Sequence, residues 1–201
     1  MTGPDAGQDR ILTIPNLISA ARVLCVPLFL WLLLARDARV ASVVLLAVLG
    51  ATDWVDGYIA RHYDQGSELG KVLDPTADRV LLGAGVVALL VVEALPVWIG
   101  VVILAREVAI SVTVLALALA GARRIDVQWV GKAGTLALMF GLPAFLLADS
   151  IDRGRDLALV VAWGFTLGGL ALSYYAAAAY VPLARQALRD GRAAREGSIA
   201  A

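Results

Sequence analysis

Six long apolar runs dominate the chain and limit the folds that it can adopt. Each has roughly the 20 residues that an α-helix needs to cross the hydrocarbon core of a bilayer. Because the runs are continuously apolar rather than alternating, they argue against a transmembrane β-barrel. The sequence therefore predicts an all-α membrane protein, a six-transmembrane-helix bundle with spans at 17–34, 40–59, 72–92, 97–119, 130–147 and 157–181.

Composition agrees with this class of protein. Hydrophobic residues make up 60% of the 201 residues, whereas soluble domains average roughly 45–50%. The formal net charge is zero, so nothing indicates a nucleic-acid partner. The segments between the runs are short, which predicts a single domain over residues 1–201. Its three parts would be an N-terminal tail and interfacial segment at 1–16, the six spans at 17–181 and a basic cytoplasmic tail at 182–201.

The distribution of Lys and Arg predicts how the chain is oriented. The two terminal segments and the connections at 61–71 and 120–132 together carry ten of these residues, whereas the other loops carry four. Since cytoplasmic segments carry the excess of positive charge, we expect both termini to face the cytoplasm. A polar active-site cavity between the second and third spans would open on the same side. The protein would be integral to a bacterial cell membrane.

Four carboxylates lie beside the connection between the second and third runs. Asp53 and Asp56 are three residues apart, and Asp74 and Asp78 are four apart, so each pair shares one helix face. Ionised side chains are costly in lipid unless they are paired, bound to a metal ion or used in catalysis. An oxygen-only ligand set suits Mg²⁺ or Mn²⁺ rather than zinc. We predict that two such ions bind here and clamp a pyrophosphate.

Two other interpretations of the four acids remain open at this point. Asp74 followed by Pro75 is a good helix start, and the other acids could be interfacial residues neutralised by Arg61 and Arg79. A small carrier of divalent metal ions would also need an acidic cluster within the membrane. The carrier hypothesis predicts cation flux across a bilayer, whereas an enzyme would show metal-dependent turnover of a phosphorylated substrate.

The spacing of these residues resembles in full the signature of the CDP-alcohol phosphatidyltransferase family. In this chain the signature reads Asp53-x2-Asp56-Gly57-x2-Ala60-Arg61-x8-Gly70-x3-Asp74-x3-Asp78. The resemblance implies a six-span helical bundle that moves a phosphatidyl or related group from a CDP-linked lipid to an alcohol. It also implies the release of CMP and dependence on divalent metal ions. The predicted donor is CDP-diacylglycerol.

The resemblance further implies a role for each matching residue. Asp53, Asp56 and Asp74 would bind metal, and Asp78 would bind metal and act as the base that takes the proton of the acceptor hydroxyl. The residues predicted to contact the CDP-lipid are Asn16, Gly57, Ala60, Arg61, Ser67 and Gly70.

Two further segments are similar to the glycerophosphate branch of the family, which contains phosphatidylglycerophosphate synthases and CMP-forming cardiolipin synthases. They are Ile14-Pro15-Asn16-Leu17-Ile18-Ser19 and Ala105-Arg106-Glu107-Val108. The residues predicted to bind the acceptor are Arg106, Lys132 and Arg123. An intramembrane Arg-Glu pair is expensive unless it faces a polar cavity. The alternatives are a buried pair that links spans for Arg106, and an ordinary interfacial lysine for Lys132.

The segment Gly131-Lys132-Ala133-Gly134-Thr135 is similar to a Gly-Lys-x-Lys-Thr motif of phosphatidylglycerophosphate synthases. It departs from that motif at Gly134, where a second lysine is expected. The resemblance to the branch makes glycerol 3-phosphate the leading predicted acceptor, with phosphatidylglycerophosphate as product. The missing cation favours the alternative, in which phosphatidylglycerol accepts and cardiolipin forms. An inositol phosphate acceptor is less favoured.

Small residues in the sixth run indicate close helix packing. Gly164, Gly168 and Gly169 lie near one face of the predicted helix. Such faces let helix backbones approach closely in membranes. We therefore expect either tight packing of this span within the bundle or a contact between two copies of the chain in a homodimer.

Overall fold

The computed structural model describes the backbone of residues 14–62, 70–119 and 129–199, with side chains at 16–52, 76–113, 115 and 130–179. In this part of the chain it has helices and no strand, so the all-α prediction is confirmed. The helices are α1 (Ile14–Leu30), α2 (Arg39–His62), α3 (Gly70–Val91), α4 (Val97–Leu119), α5 (Trp129–Ser150) and α6 (Arg155–Ile199). Each overlaps one predicted span, and α6 also continues through most of the predicted tail.

Short connections join consecutive helices at one end of the bundle. A π-helical segment, Trp31–Ala35, prolongs α1 to the turn before α2. Asp37 and Glu93 adopt left-handed conformations, with φ of 48° and 60°, in the turns that precede α2 and α4. Gly154, with φ of 90°, lies in the turn before α6, where the absence of a side chain makes this conformation inexpensive. These tight turns make neighbouring helices antiparallel.

Among the residues whose side chains are described, three stretches are long and apolar enough to cross a membrane by themselves: Asn16–Ala35, Val130–Ser150 and Arg155–Ala179. The part of α2 at Arg39–Thr52 is apolar but shorter. The chain therefore has the character of an integral membrane protein.

The outside of the bundle supports this conclusion. Large apolar side chains are exposed along its surface, among them Leu24 at 77%, Leu157 at 70% and Val160 at 70%. Soluble monomers rarely expose contiguous apolar surface on this scale. A lipid environment would cover these side chains at no cost.

The interior combines an apolar centre with close backbone contacts. Phe29, Leu81, Ile103 and Leu142 are all at most 1% exposed and belong to one core cluster. The most extensive helix pair is α5 with α6, while α1 packs against both α2 and α3. The position of α1 matters for the site, because α2 and α3 carry the four signature aspartates.

Glycines allow α5 and α6 to approach each other backbone to backbone. A Cβ added at Gly134 would lie 2.9 Å from the carbonyl oxygen of Gly169, and one added at Gly169 would lie 2.8 Å from that of Gly134. Of the small residues predicted on α6, Gly169 therefore packs within the chain. Gly164 and Gly168 have no atom within 4 Å of an added Cβ. The homodimer stays a prediction.

Candidate active site

A polar face of α1 points into the bundle. Asn16, Ser19 and Arg22 follow one another at intervals of three residues, so they lie along the same side of the helix. They are 5%, 0% and 1% exposed, respectively. By volume, Arg22 is the largest fully buried side chain that the structure describes. A face of this kind in an apolar helix needs polar partners on the neighbouring helices.

Asp78 of α3 is a partner of Arg22. Nη1 of Arg22 donates a hydrogen bond to Oδ1 of Asp78, and the two side chains form an ion pair. The Arg22 side chain is 0% exposed and that of Asp78 is 18% exposed. The predicted base is thus partly accessible, while the guanidinium that contacts it is enclosed.

The backbone places the other signature residues at the ends of the same two helices. Asp53 and Asp56 lie in α2, and Asp74 lies in α3 with Asp78, so the predicted sharing of helix faces holds. The side chains of Asp53, Asp56 and Asp74 are not among those described, nor are those of Gly57, Ala60, Arg61 and Gly70 in the same helices. Ser67 and Arg123 fall outside the described residues altogether.

The metal site is tested by donor chemistry. Among the described side chains, no three Asp, Glu, His or Cys residues lie close enough together to hold a metal ion. Of the four signature aspartates, only Asp78 has a described side chain. Four carboxylates on two helix ends are nevertheless the oxygen donor set that Mg²⁺ and Mn²⁺ prefer. The residue types and their helical placement fit such ions.

Arg79 has a different partner from the one considered in the interfacial interpretation. Its Nη1 donates a hydrogen bond to Oγ of Ser111 on α4, at 2.8 Å. This contact joins α3 to α4. Asp78, the signature carboxylate whose side chain the structure describes, is paired with Arg22.

A second buried polar cluster joins α4 to α5. Arg106 is 6% exposed and donates from Nη1 to Oε1 of Glu107 and from Nη2 to Oγ1 of Thr135, the latter at 3.3 Å. The Thr135 hydroxyl donates in turn to the carbonyl oxygen of Gly131, at 3.2 Å. Nε of Arg106 is buried and has no hydrogen-bond partner among the described residues. The acid of the pair is the neighbour of Arg106 in sequence, so Thr135, not Glu107, makes the link to another helix.

One cavity lined by described residues lies away from the predicted site residues. It has a volume of about 530 Å³ and is lined by residues from the end of α3, the start of α4 and the α5–α6 turn, including Glu93, Asp149, Arg155 and Trp163. None of the predicted site residues lines it. Most side chains of the acidic signature are undescribed, so this cavity does not test the predicted active-site cavity.

Residues 12–175 match the sequence model of the family described as CDP-alcohol phosphatidyltransferase. The chain belongs to this family. It is 40% identical over 191 residues to a cardiolipin synthase (CMP-forming) of Streptomyces coelicolor, covering 92% of this chain and 89% of the relative. It is 36% identical over 151 residues to a probable phosphatidylglycerophosphate synthase of Mycobacterium tuberculosis, covering 73% and 71%. A CDP-diacylglycerol–glycerol-3-phosphate 3-phosphatidyltransferase of Bacillus subtilis is 34% identical over 174 residues, covering 77% and 89%.

Family membership confirms the predicted enzyme class. This transferase is an enzyme of phospholipid synthesis, and its family generally depends on divalent metal ions. The relatives include both kinds of enzyme in the glycerophosphate branch. The predicted resemblance to that branch is therefore also confirmed.

The structure of the transferase explains the departure at Gly134. Gly134 is buried against α6, and an added Cβ would lie 2.9 Å from the carbonyl oxygen of Gly169 and 3.0 Å from the backbone nitrogen of Ser173. A lysine cannot occupy this position unless α6 moves away. Lys132, by contrast, is exposed on α5. Of the predicted acceptor residues, only Arg106 is buried in a described polar cluster.

Arg22 and Ser19 have no predicted role from the sequence alone. The signal was present, because polar residues at positions 16, 19 and 22 interrupt an otherwise apolar run at helical spacing. An arginine within a membrane span is itself a functional-site hypothesis.

Proposed function

We propose that this transferase moves the phosphatidyl group of CDP-diacylglycerol to phosphatidylglycerol, producing cardiolipin and CMP. The observation that carries the choice of acceptor is the contact between Gly134 and Gly169, which leaves no room for a second lysine beside Arg106 and Thr135. The relative with 40% identity over 92% of the chain, named as a cardiolipin synthase, supports the same choice.

The charge of the acceptor is the basis of this argument. A phosphate monoester carries a charge of about −1.5 to −2 at neutral pH, as a phosphorylated side chain does, whereas a phosphodiester carries one negative charge. Arg106 offers one guanidinium, and Glu107 already offsets part of its charge. A single, partly offset cation suits the phosphodiester of phosphatidylglycerol better than the monoester of glycerol 3-phosphate. The buried Nε of Arg106 would donate to that phosphate.

The reaction would be an in-line displacement at phosphorus. The acceptor hydroxyl oxygen attacks the phosphorus that carries the diacylglycerol, and the carboxylate of Asp78 takes the hydroxyl proton. The bond from that phosphorus to the oxygen of CMP breaks, so CMP leaves with the electron pair. Residues placed around the CDP part of the donor would be Asn16, Gly57, Ala60, Arg61, Ser67 and Gly70. Positioning and electrostatics are the main contributions of the protein.

Four carboxylates would hold the metal ions that the family requires. These are Asp53, Asp56, Asp74 and Asp78, and two Mg²⁺ or Mn²⁺ ions would neutralise charge on the pyrophosphate of the donor. The oxygen-only donor set supports this assignment.

The proposed arrangement in the membrane is a single domain with six crossings and with both termini and the active site in the cytoplasm. The six helices and the distribution of Lys and Arg support it. Single cysteines replacing Gly154 and Ser198, in a chain that carries Cys25→Ala, would test it with a membrane-impermeant thiol reagent. We expect Ser198→Cys to react only from the cytoplasmic side and Gly154→Cys only from the opposite side. Labelling of both from one side would contradict the arrangement.

The acceptor is tested with the purified protein in vesicles that contain CDP-diacylglycerol and Mg²⁺. Phosphatidylglycerol and glycerol 3-phosphate are supplied separately, and the lipid product is identified by mass. We expect CMP and cardiolipin with phosphatidylglycerol. If only phosphatidylglycerophosphate forms, the proposed acceptor is wrong and the transferase assignment stands.

Glycerol 3-phosphate is the second candidate acceptor. Relatives named as phosphatidylglycerophosphate synthase and glycerol-3-phosphate 3-phosphatidyltransferase, at 36% and 34% identity, favour it. Lys132 and Arg123 would then supply the additional positive charge that a monoester requires. Replacing Lys132 with Gln would reduce turnover strongly with this acceptor and weakly with phosphatidylglycerol.

A further inference from the structure

We propose that Arg22 is a positioning residue for the reaction, which holds the carboxylate of Asp78 in the orientation needed to take the proton of the acceptor. This inference rests on the proposed role of Asp78 as the base. It assigns a function to an arginine of α1, a helix that lies outside the acidic signature.

The location of Arg22 is the first argument. Helix α1 packs against α2 and α3, the two helices that carry the signature aspartates. Arg22 extends from the buried polar face of α1 to Oδ1 of Asp78. A guanidinium is planar and always charged, so a hydrogen bond from it restricts the carboxylate to a narrow range of rotations. The side chain of Asp78 remains 18% exposed while it accepts this hydrogen bond.

The energetic cost of Arg22 is the second argument. Its side chain is 0% exposed and lies in the middle of a helix that is long and apolar enough to span a membrane. An apolar side chain of similar volume would fill this space with less desolvation, and buried ion pairs are often neutral or unfavourable beside such replacements. Packing alone therefore does not explain an arginine here, whereas orientation of a reacting carboxylate does.

Two other arginines with described side chains provide the contrast. Arg79 contacts the hydroxyl of Ser111, and Arg106 contacts Glu107 and Thr135. Among the ion pairs described, only that of Arg22 reaches an aspartate of the signature. Arg79 is the neighbour of Asp78 in sequence, so it is a matched control for a change of charge in the same part of the bundle.

The test compares Arg22→Gln and Arg22→Lys with Arg79→Gln and wild type, using CMP release at saturating Mg²⁺. We expect kcat of Arg22→Gln to fall about 100-fold, because small displacements of a reacting group cost rate on this scale. KM for CDP-diacylglycerol should change less than threefold. Arg22→Lys should recover part of kcat, since it restores the charge without the planar fork. Arg79→Gln should keep kcat within threefold.

A second measurement separates positioning from folding. Thermal unfolding in detergent with EDTA is recorded for wild type, Arg22→Gln, Asp78→Asn and the double variant. We expect Arg22→Gln to unfold at a lower temperature, because Asp78 loses the ion pair with Arg22. The double variant should recover part of that loss, since the carboxylate of Asp78 is then no longer left without the arginine. This coupling is measured without metal and without turnover.

Three results would overturn the inference. One is a kcat of Arg22→Gln within threefold of wild type while Asp78→Asn is inactive. Arg22 would then not position the base, although Asp78 would still be the base. Another is a loss of kcat for Arg22→Gln that disappears when rates are normalised to the folded fraction, which would show a structural role only. The third is additive unfolding in the double variant. Full activity of Asp78→Asn would instead contradict the proposed function itself.

Discussion

Among the described side chains, two arginine–aspartate pairs join different helices of this transferase. Arg22 of α1 pairs with Asp78 of α3, and Arg39 at the start of α2 pairs with Asp149 near the end of α5. The side chains of the second pair are each 33% exposed, whereas that of Arg22 is fully buried. The same two residue types therefore meet in two very different environments.

In the exposed pair, Arg39 has a further partner, and little desolvation is needed to form the pair. Nε of Arg39 also donates to Oδ1 of Asp37, at 2.9 Å. This hydrogen bond, together with the charges of Asp149 and Asp37, raises the pKa of Arg39 above its ordinary value, while burial opposes the shift. Pairs of this kind contribute roughly 0–1 kcal/mol to stability.

The Arg22–Asp78 pair differs because the guanidinium of Arg22 is fully enclosed, so the loss of its partner carries a large penalty. Breaking a buried ion pair by removing one partner typically costs about 3–5 kcal/mol. The geometry of an ion pair alone therefore does not show how much the pair contributes to stability or activity. Burial and the chemistry of neighbouring residues decide whether an ion pair is a surface detail or part of a site.

Replacing Asp78 with Asn should have the largest effect. The amide cannot accept the proton of the acceptor hydroxyl, and general-base catalysis contributes about 10²–10⁴-fold to rate. We expect CMP release to fall at least to the lower end of that range. Asp149→Asn is the control, because it removes the carboxylate of the exposed pair, and it should retain activity within twofold. Equal losses in the two variants would remove the distinction between the pairs.

Replacing Arg106 with Gln should have the next largest effect, on acceptor binding. A hydrogen bond to a charged group contributes about 1.5–3 kcal/mol, which corresponds to roughly a 10- to 150-fold rise in KM for the acceptor. KM for CDP-diacylglycerol should not change. Titrating each substrate at a saturating level of the other measures both constants, and Arg153→Gln in the turn before α6 is a control for charge. A rise in KM for CDP-diacylglycerol alone would show that Arg106 binds the donor and not the acceptor.

Replacing Gly134 with Ala should destabilise the protein rather than alter its chemistry. The new Cβ would meet Gly169 and Ser173 of α6, and overpacking of this kind costs typically about 1–3 kcal/mol. Gly168→Ala is the matched control on α6, because no atom lies within 4 Å of its added Cβ. We expect a lower unfolding temperature in detergent for Gly134→Ala only. Unchanged stability of Gly134→Ala would remove the steric reason for the missing lysine.

The number and order of the helices could be predicted because each apolar run is as long as a membrane needs. That local property does not depend on which helices touch. The Arg22–Asp78 pair could not be predicted in the same way, since its partners are 56 residues apart and meet only after α1 has packed on α3. The sequence showed that an arginine was present in a span, but not which acid it contacts.

The predicted acceptor site likewise has a part that could be predicted from the sequence and a part that could not. The motif around Thr135 could be compared with a family pattern, and this located the departure at Gly134. The reason for the departure lies in Gly169, on another helix, whose backbone occupies the space that a side chain would need. Spacing along the chain predicts which residues share a face, whereas the contacts of that face depend on tertiary packing.

Replacing Arg39 with Gln should have the smallest effect. The variant loses the ion pair with Asp149 and the hydrogen bond to Asp37, but water can solvate both carboxylates because neither is buried. We expect a loss of less than about 1 kcal/mol in the free energy of unfolding, and kcat within experimental error of wild type. The loss should shrink further when salt is raised from 0.05 to about 1 M, since the Debye length then falls to about 3 Å. Arg22→Gln under the same conditions should keep its effect, because solvent ions do not reach a side chain that is fully enclosed. A salt-independent loss for Arg39→Gln would mean that the exposed pair, too, is held by the packing around it.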